Sequence, residues 1–346
     1  GSTFQVETGI PEPGAGRPYG AIRVVAPNGD VDLSANIISG TGSVDAIRVL
    51  GSAVDGKVAT ATISANTIQD IVAGNGIQLV QVETAIVEDN IVQNIDHSYF
   101  INPNDPSEDG LIVNGFGVAC FQVNDCATSG NQLTNAGFAN LVVVNSFFSS
   151  TDDTISTGVW RGAQVEQSQG SFSGLTVRDI EGVALTFIDS TIAADDIEIT
   201  GTRRGGSFAD FDELNDPLPE DVQRFFGGDA VESFSSGSSS FMELTNSHFE
   251  DNVDSAVVSQ DSQLIFTGNT LINNGFEFDD GSGIIFGPGA AIQLSRGDTN
   301  AVQGPLLQGN TIDGNDGSWA LNISGTRNVR VIDNVICGGT TSGLFF

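Results

Sequence analysis

Short segments that alternate apolar and polar residues recur along the whole chain. Ala46-Ile47-Arg48-Val49 is typical: its aliphatic residues would face inward and its arginine outward, because successive strand residues face opposite sides of a sheet. Gly, Asn, Asp and Ser bound these segments, and none has the length of an amphipathic helix. The pattern predicts an all-β chain, with further strands at Ala21–Val24, Gly76–Leu79, Val118–Phe121, Phe138–Leu141, Gly162–Val165, Val183–Thr186, Ala230–Ser233, Ser255–Val258, Ala291–Leu294 and Trp319–Asn322.

A second recurring segment has an Asn or Asp, one spacer and an aliphatic residue, as in Asn66-Thr67-Ile68 and Asn90-Ile91-Val92. Its basic spacing is about 22 residues, with three longer intervals. Asn side chains stacked in this way can hydrogen-bond from one repeat to the next. We therefore interpret the column as structural, in a coil of the form strand, turn, strand, turn. Its other members start at Asn36, Asn131, Asp153, Gly174, Asp196, Asn246, Asn269, Asn310 and Asn334.

One such unit cannot bury its apolar face alone, so about eleven units must stack into a solenoid with parallel pairing between them. Over residues 20–346 the repeat resembles the right-handed parallel β-helix repeat family, the pectate-lyase-like superfamily. The resemblance implies an all-β, right-handed parallel β-helix of about eleven rungs, with residues 1–19 as an N-terminal lead-in or cap. It also implies a polysaccharide or glycan surface as partner.

The long intervals are insertions at residues 97–115, 202–229 and 275–289. All three fall between an Asn-x-aliphatic segment and the next alternating strand, so they should project from one corner of the coil and flank a binding face. The alternative is a solvated face whose Phe187 and Phe234 are covered by the second insertion. The predicted floor of the cleft is Cys120, Gln122, Asn140, Val142, Gln164, Glu166, Leu185, Phe187, Glu232 and Phe234, of which Gln122, Asn140, Gln164, Phe187 and Phe234 are the substrate-binding candidates.

Glu166 and Glu232 are the acid/base candidates on this face. Two rungs apart, at about 4.8 Å per rung, they would stand about 9.6 Å from each other, which is marginal for an inverting glycosidase pair. A lyase or epimerase would instead need a base and a counter-charge, for which Arg161 and His97 are the nearest candidates. We expect a carbohydrate-active protein, polysaccharide lyase-like or glycoside hydrolase-like. The alternative is a non-catalytic surface or adhesion module that binds glycan or a protein partner.

Charge narrows the class of partner. The 346 residues include 44 Asp and Glu against 12 Lys and Arg, giving a formal charge of −32. Nucleic-acid binding, which needs Lys and Arg to neutralise phosphates, is excluded on this ground. We find no apolar run long enough for a membrane span and no signal peptide in the sequence given. An acidic surface with a single lysine favours an extracellular or cell-surface setting, where salt screens self-repulsion.

Calcium is the candidate ion, since an acidic chain would repel a polyanion unless a cation bridged the two. The best ligand cluster is Asn104, Asp105, Glu108 and Asp109, in the first insertion. Acidic turns without metal are the alternative, and the interpretation requires no cofactor.

The three cysteines cannot form a disulfide framework. Cys120 and Cys126 could pair across a turn, or all three, with Cys337, could be free thiols.

Near the C-terminal end of the repeat, the alternation of apolar and polar residues predicts an outward apolar strip of Leu321, Ile323, Leu344 and Phe346. Such a strip would be covered by an additional domain or subunit at the C-terminal end.

Overall fold

The structure is a computed structural model, and its described part is discontinuous. It comprises residues 3–6, 21–25, 29–40, 45–51, 58–72, 74–97, 99–100, 111–112, 114–158, 160–203, 228–235, 240–275, 278–279, 285–286, 290–295, 304–314, 319–338 and 344–345. These residues fall into two compact units, one built from described residues up to 163 and the other from those after 163.

Every regular element in the described ranges is a β-strand. The first unit contains β1 (Thr3–Val6), β2 (Ile22–Val25), β3 (Val31–Ser34), β4 (Ile37–Gly40), β5 (Ile47–Leu50), β6 (Val58–Ser64), β7 (Thr67–Ile71), β8 (Ile77–Val80), β9 (Val82–Glu88), β10 (Ile91–Ile95), β11 (Tyr99–Phe100), β12 (Leu111–Ile112), β13 (Phe116–Phe121), β14 (Asp125–Ser129), β15 (Gln132–Ala136), β16 (Ala139–Val144), β17 (Phe147–Thr151) and β18 (Thr154–Gly158). The boundary between the units falls within β19 (Arg161–Glu166).

The second unit continues with β20 (Gln169–Ser173), β21 (Thr176–Ile180), β22 (Val183–Ile188), β23 (Thr191–Asp195), β24 (Glu198–Thr200), β25 (Val231–Phe234), β26 (Ser240–Thr245), β27 (His248–Glu250), β28 (Val257–Gln260), β29 (Ser262–Thr267), β30 (Thr270–Ile272), β31 (Phe278–Asp279), β32 (Ile285–Phe286), β33 (Ala290–Ser295), β34 (Leu306–Gln308), β35 (Thr311–Asp313), β36 (Trp319–Ser324), β37 (Arg330–Ile332), β38 (Val335–Ile336) and β39 (Leu344–Phe345).

The strands recur in groups of three that feed three parallel sheets. Sheet 1 takes the first strand of each group, sheet 2 the second and sheet 3 the third: in the first unit these are β2-β5-β8-β13-β16, β3-β6-β9-β14-β17 and β1-β4-β7-β10-β15-β18. In the second unit they are β22-β25-β28-β33-β36-β39, β20-β23-β26-β29-β34-β37 and β21-β24-β27-β30-β35-β38. Eleven groups follow one another, from β2–β4 to β36–β38, which confirms the right-handed parallel β-helix of about eleven rungs.

The expected coil of two strands per turn is wrong, because each rung has a third strand, in sheet 2. In some of these strands, such as β14 (Asp125–Ser129) and β20 (Gln169–Ser173), small polar residues make the alternation weak in the sequence. In the predicted lead-in, β1 pairs in parallel with β4.

The bend from sheet 2 to sheet 3 is built from two residues. The first has a left-handed backbone, such as Ala65 with φ 52° or Asp89 with φ 54°. The second is the predicted Asn. Asn66 Nδ2 donates to the carbonyl oxygens of Leu33 and Ser64 and to Asn90 Oδ1, at 2.8, 3.0 and 2.9 Å. Backbone groups left unpaired by the bend therefore find partners inside a buried stack of amides.

The stack changes composition along the chain. Asp153, a member of the predicted column, is 1% exposed and accepts from the backbone N and Nδ2 of Asn131, from Thr128 Oγ1 and from Ser150 Oγ. Leu175 and Ile197 hold the two following places, and both are buried. The recurring sequence pattern predicted Asp196 and Asn246 in the stack, and this prediction is wrong. Each is the residue with a left-handed backbone that precedes the stack position, a conformation that Asp and Asn tolerate well.

The inward columns form the core. In the second unit Phe172 and Phe187 stack with ring centroids 6.0 Å apart, and Phe249 and Phe266 lie 5.9 Å apart. All four are fully buried, and burial of one such side chain contributes about 2 to 3 kcal/mol. The aromatic rings of neighbouring rungs thus stabilise the parallel pairing of the strands between the bends.

Cys120 and Cys126 form a disulfide bond, and both are completely buried, so Cys120 faces the core and not the predicted outer floor. Cys337 is a free, exposed cysteine. The bridge links a sheet 1 strand to the sheet 2 strand of the same rung.

The expected outward apolar strip at the C-terminal end is wrong where it can be judged. Leu321 and Ile323 are 2% and 7% exposed because they continue the inward column of Ile292 and Leu294. Leu344 and Phe346 have no described side chain. In β37, Val331 continues the column of the buried Leu307 and is 40% exposed.

No helix in the described ranges is long and apolar enough to cross a bilayer.

We expect Asn131→Ala to lower the free energy of unfolding by about 3 kcal/mol, since it removes the acceptor of Asn90 N and Nδ2 and the donor to Val87 O. Denaturant unfolding followed by circular dichroism measures the change. Gln132→Ala, at the exposed neighbouring residue, is the matched control. Equal losses in the two variants would contradict the role of the stack.

Peptide mapping without reduction should link Cys120 to Cys126 and leave Cys337 alkylated. Replacing both bridged cysteines by alanine should lower unfolding free energy by about 2 kcal/mol through the lost loop constraint. Cys337→Ala should leave stability unchanged. Alkylation of all three thiols in the denatured, unreduced chain would rule the bridge out.

Candidate functional site

The insertions occupy the corner that leads from sheet 3 to sheet 1, as expected. The first joins β10 to β13, the second β24 to β25, and the third β30 to β33. Antiparallel hairpins, β11 with β12 and β31 with β32, lie within the first and third. The outer face of sheet 1 is therefore the place to examine each predicted residue.

Two predicted side chains of the first unit have structural partners. Asn140 is fully buried: its Oδ1 accepts from Ala136 N at 3.2 Å, and its Nδ2 donates to Thr157 O at 3.0 Å. Its predicted place on an open floor is wrong, because it is the second residue of β16 and its side chain bonds to the backbone at the ends of β15 and β18. Gln122 is exposed at the opposite corner, with φ 55°, and accepts from Gln81 Nε2 at 3.0 Å.

His97 and Arg161 both approach the segment Gly137–Phe138. The His97 side chain is only 6% exposed, with Nδ1 3.5 Å from Asp96 Oδ1. A Cβ on Gly137 would come within 2.6 Å of that Nδ1, so only glycine leaves room for the ring. The Arg161 guanidinium lies 5.6 Å from the centroid of the Phe138 ring. The two cationic candidates are thus brought to adjoining residues of one corner.

The expected outward position of Phe187 and Leu185 is wrong. Both are fully buried, and Phe187 is part of the aromatic stack described above. The reason is local: β22 is buried at five successive positions, so its sequence shows no alternation from which to read the facing. Its outward residues are Thr186 and Ile188, which pair with Glu232 and Phe234.

Gln164, Glu166 and Phe234 are half-buried on the outer face of the second unit. Gln164 Nε2 lies 3.5 Å from Glu166 Oε2. The backbone bond from Gln167 N to Ile188 O sets Glu166 in the column of Ile188 and Phe234, two residues along the strand from the column of Glu232. Two strand spacings of about 4.8 Å and two rises of about 3.3 Å put the Cα atoms of Glu166 and Glu232 on the order of 12 Å apart.

A group of carboxyls surrounds Glu232. Asp229 is 7% exposed and Glu232 9%, and a hydrogen bond joins their side chains. Asp229 Oδ1 also accepts from Ser255 N at 2.8 Å, while Asp254 Oδ2 accepts from Gly228 N at 3.1 Å. These reciprocal bonds fix the end of the second insertion against the chain that precedes β28.

The pKa of Asp229 is raised well above the ordinary range of an aspartate. Burial is the main cause, followed by the negative charges of Glu232 and Asp254 and the hydrogen bond to Glu232; the Ser255 amide opposes them. Asp229 therefore keeps its proton at pH values where exposed aspartates have lost it. Asp229 and Glu232 form a pair that shares a proton, an arrangement suited to acid/base chemistry.

Thr186 lies beside this pair. It is fully buried on the outward column and in register with Glu232, and its Oγ1 has no hydrogen-bond partner in the described part of the chain. A buried hydroxyl without a partner is costly, so a group that satisfies it would be held there favourably.

Sequence reasoning missed Asp229 and Asp254. Asp229 was counted as the last residue of the second insertion, although Asp229-Ala230-Val231 repeats the pattern of Asp45-Ala46-Ile47 one strand position before sheet 1. Asp45 Oδ1 in turn accepts from Asn75 Nδ2 at 2.8 Å. Alignment of the residue that precedes each sheet 1 strand would have shown a polar column there.

The outer face of sheet 1 in the second unit is acidic. Its described outward residues carry Glu166 and Glu232, and none is Lys, Arg or His; the others are Gln164, Thr186, Ile188, Phe234, Val258, Gln260, Gln293, Ser295, Asn322 and Ser324. An anionic substrate would meet no counter-charge on this part of the face.

The predicted calcium ligands Asn104, Asp105, Glu108 and Asp109 lie outside the described residues. Within the described ranges, no three His, Cys, Asp or Glu side chains are grouped to hold a metal ion.

No family model matches the chain, and no curated protein matches it. Among solved structures, the tailspike gp42 of Acinetobacter phage vb_AbaP_AS12 has a TM-score of 0.48 at 8% identity, over 94% of this chain and 58% of the tailspike. The mannuronan C-5 epimerase AlgE4 A-module of Azotobacter vinelandii has 0.40 at 14%, over 100% of this chain and 89% of that one. Pectate lyase Pel9A has 0.39 at 11%, over 93% and 80%. The chain spans little more than half the length of the tailspike, and such identities concern the fold alone.

We expect Asp229→Asn to change the pH dependence of stability. Because the native pKa of Asp229 is raised, its contribution to folding is complete below the ordinary aspartate range and is lost as pH rises through the native pKa. The asparagine cannot ionise, so the gain in stability of the variant over the parent should grow with pH and then level off. Urea unfolding at a series of pH values measures it.

Asp333→Asn is the control, because Asp333 is exposed and its left-handed backbone, with φ 52°, accepts either residue. Because Asp333 lies outside the carboxyl group around Glu232, Asp333→Asn should retain the pH-dependent loss of stability that Asp229 causes in the parent. A difference between Asp229→Asn and the parent that does not vary with pH would contradict the proton-sharing pair.

Proposed function

We propose that the chain is a carbohydrate-active β-helix that hydrolyses a neutral polysaccharide on the outer face of sheet 1, with Glu232 as the general acid. The proton-sharing pair of Asp229 and Glu232 carries the proposal, since protonation of a glycosidic oxygen requires a carboxyl that still holds its proton, and the pKa of Asp229 is raised above the ordinary range of an aspartate. The resemblance of the repeat to the pectate-lyase-like superfamily supports a glycan as the substrate class.

In the proposed reaction the proton of the pair passes to the leaving glycosidic oxygen through Glu232, while Asp229 positions and retains that proton. A water molecule attacks the anomeric carbon, and the C–O bond to the leaving sugar breaks. Glu166 takes the proton of the water. The wide separation of Glu166 and Glu232 leaves room for that water and favours inversion over retention.

Hydrolysis is favoured over elimination by the charge of the face. Elimination from a uronate needs a base together with a group that neutralises the substrate carboxylate. The described outward residues of sheet 1 in the second unit offer carboxylates and amides, but no cation. Arg161 and His97 remain the predicted supporting residues, Gln164 and Phe234 the predicted substrate contacts, and calcium in the first insertion a prediction.

The low exposure of Glu232 favours a second candidate, a non-catalytic module that binds glycan or a protein partner. A carboxyl 9% exposed beside the fully buried Thr186 is covered more than an open cleft would be. The acidic composition and the buried disulfide support an extracellular or cell-surface setting for either function.

Glu232→Gln should reduce hydrolysis about 10³-fold, because an amide cannot supply the proton. Reducing ends released from galactomannan, xyloglucan and dextran, and unsaturated-product absorbance from pectate and alginate with calcium or chelator, separate the reaction types. Glu243→Gln, on the neighbouring sheet 2, is the matched control and should retain full activity.

An increase in unsaturated-product absorbance with pectate or alginate would show elimination and would contradict the proposed hydrolysis. Reducing ends released equally by Glu232→Gln and the parent would remove Glu232 from the mechanism. Retention of a polysaccharide without any product would favour the binding module.

A further inference from the structure

A groove lies on the outer face of sheet 3 in the second unit, away from the carboxyl pair. Its volume is about 830 Å³, and three neighbouring strands, β21, β24 and β27, form its wall. Arg178, Thr200 and Glu250 occupy one column across these strands, and Glu198 and His248 occupy the column two residues earlier. A cavity of this volume accommodates a ligand of several rings.

The concave shape follows from the bends at the strand ends. Asp179, Gly201 and Asp251 have left-handed backbones, with φ 54°, 72° and 56°, and turn the chain at the same level of three successive rungs. A Cβ on Gly201 would approach Asp179 Oδ1 to 3.1 Å, so the glycine keeps this wall close to the backbone. Beyond the turn the buried Val253 supplies an apolar contact.

Polar side chains in the groove, and His248 beside it, are ordered by mutual bonds. Arg178 Nη2 lies 3.1 Å from Glu198 Oε1, and His248 Nε2 lies 3.1 Å from Glu250 Oε2. All four side chains are between one third and about one half exposed, so each pair has further donors or acceptors directed to solvent. Exposed pairs of this kind contribute little to stability, which leaves their polar edges available to a ligand.

The mixture of charges selects the ligand class. Arg178 and Arg203 stand beside Asp179, Glu198, Glu250 and Asp251, so the groove disfavours an anion and offers hydrogen-bond donors and acceptors side by side. A ligand with many hydroxyls can donate to the carboxylates and accept from the guanidinium groups at once. We propose that this groove is a second binding site, for a neutral saccharide, distinct from the outer face of sheet 1.

The proposal does not rest on hydrolysis at Glu232, because the groove is lined by other residues on another sheet. It is tested in the Glu232→Gln protein, in which the proposed chemistry is absent. Affinity electrophoresis in gels that contain galactomannan, xyloglucan or dextran gives an apparent dissociation constant for each. We expect retardation by at least one of these polysaccharides.

Arg178→Gln should weaken that retardation about tenfold, since it removes a charged donor from the groove. Thr200→Val is the second variant: it keeps a β-branched residue in the strand and replaces the hydroxyl by a methyl group. Arg330→Ala, which removes an equal charge from the exposed β37, is the control and should bind as the parent does. Thermal unfolding checks that all variants are folded.

Equal retardation of the parent and both groove variants would overturn the proposal, as would the absence of retardation in all three gels. Loss of retardation in the groove variants, in a chain whose parent releases no reducing ends, would support the groove and refute the proposed hydrolysis. If Glu232→Gln releases no reducing ends while the parent does, and the groove variants are retarded as the parent is, the proposed hydrolysis is supported and the groove is refuted.

Discussion

The whole architecture depends on satisfying the backbone where each rung bends. A parallel coil must turn three times per rung, and each turn removes N–H and C=O groups from the sheets. At the bend between sheets 2 and 3, buried side chains replace those partners: Asn66 alone reaches two carbonyl groups and the amide of the next rung. Where the amide stack stops, Asp153 closes it as an acceptor of four hydrogen bonds. The tightness of this bend keeps it free of insertions.

Chain length varies instead at the other two corners, between sheets 3 and 1 and between sheets 1 and 2, where one residue separates β8 from β9 and ten separate β33 from β34. Both proposed sites border the corner between sheets 3 and 1. Asp229 lies at the point where the second insertion rejoins sheet 1, while Gly201 and Arg203 lie where it leaves sheet 3. One interruption of the repeat thus brings polar residues to two different faces. On sheet 1 they are buried and share a proton; on sheet 3 they are exposed and paired by charge.

Periodicity was sufficient to predict the parallel β-helix and a column of structural amides, but not the third strand of each rung. It failed where apolar and polar residues do not alternate. The six residues of β22 are apolar or small almost throughout, so Phe187 could not be assigned to a face from the sequence. Asp229 was hidden for another reason: its raised pKa arises from burial and from Asp254, 25 residues away in sequence but adjacent through the bonds at Gly228 and Ser255. Which face a strand residue takes, and which distant residues lie beside it, are decided only when the rungs stack.

The strict parallel register fixes the spacing between equivalent side chains of successive rungs. Side chains in one column can be separated only by whole multiples of the strand spacing, about 4.8 Å. Gain or loss of one rung between Glu166 and Glu232 would change the component of their separation across the strands by one strand spacing and leave every bend intact. Evolution of such a chain can therefore adjust the distance between two chemical groups in discrete steps, by duplicating or deleting a repeat, without redesigning either group.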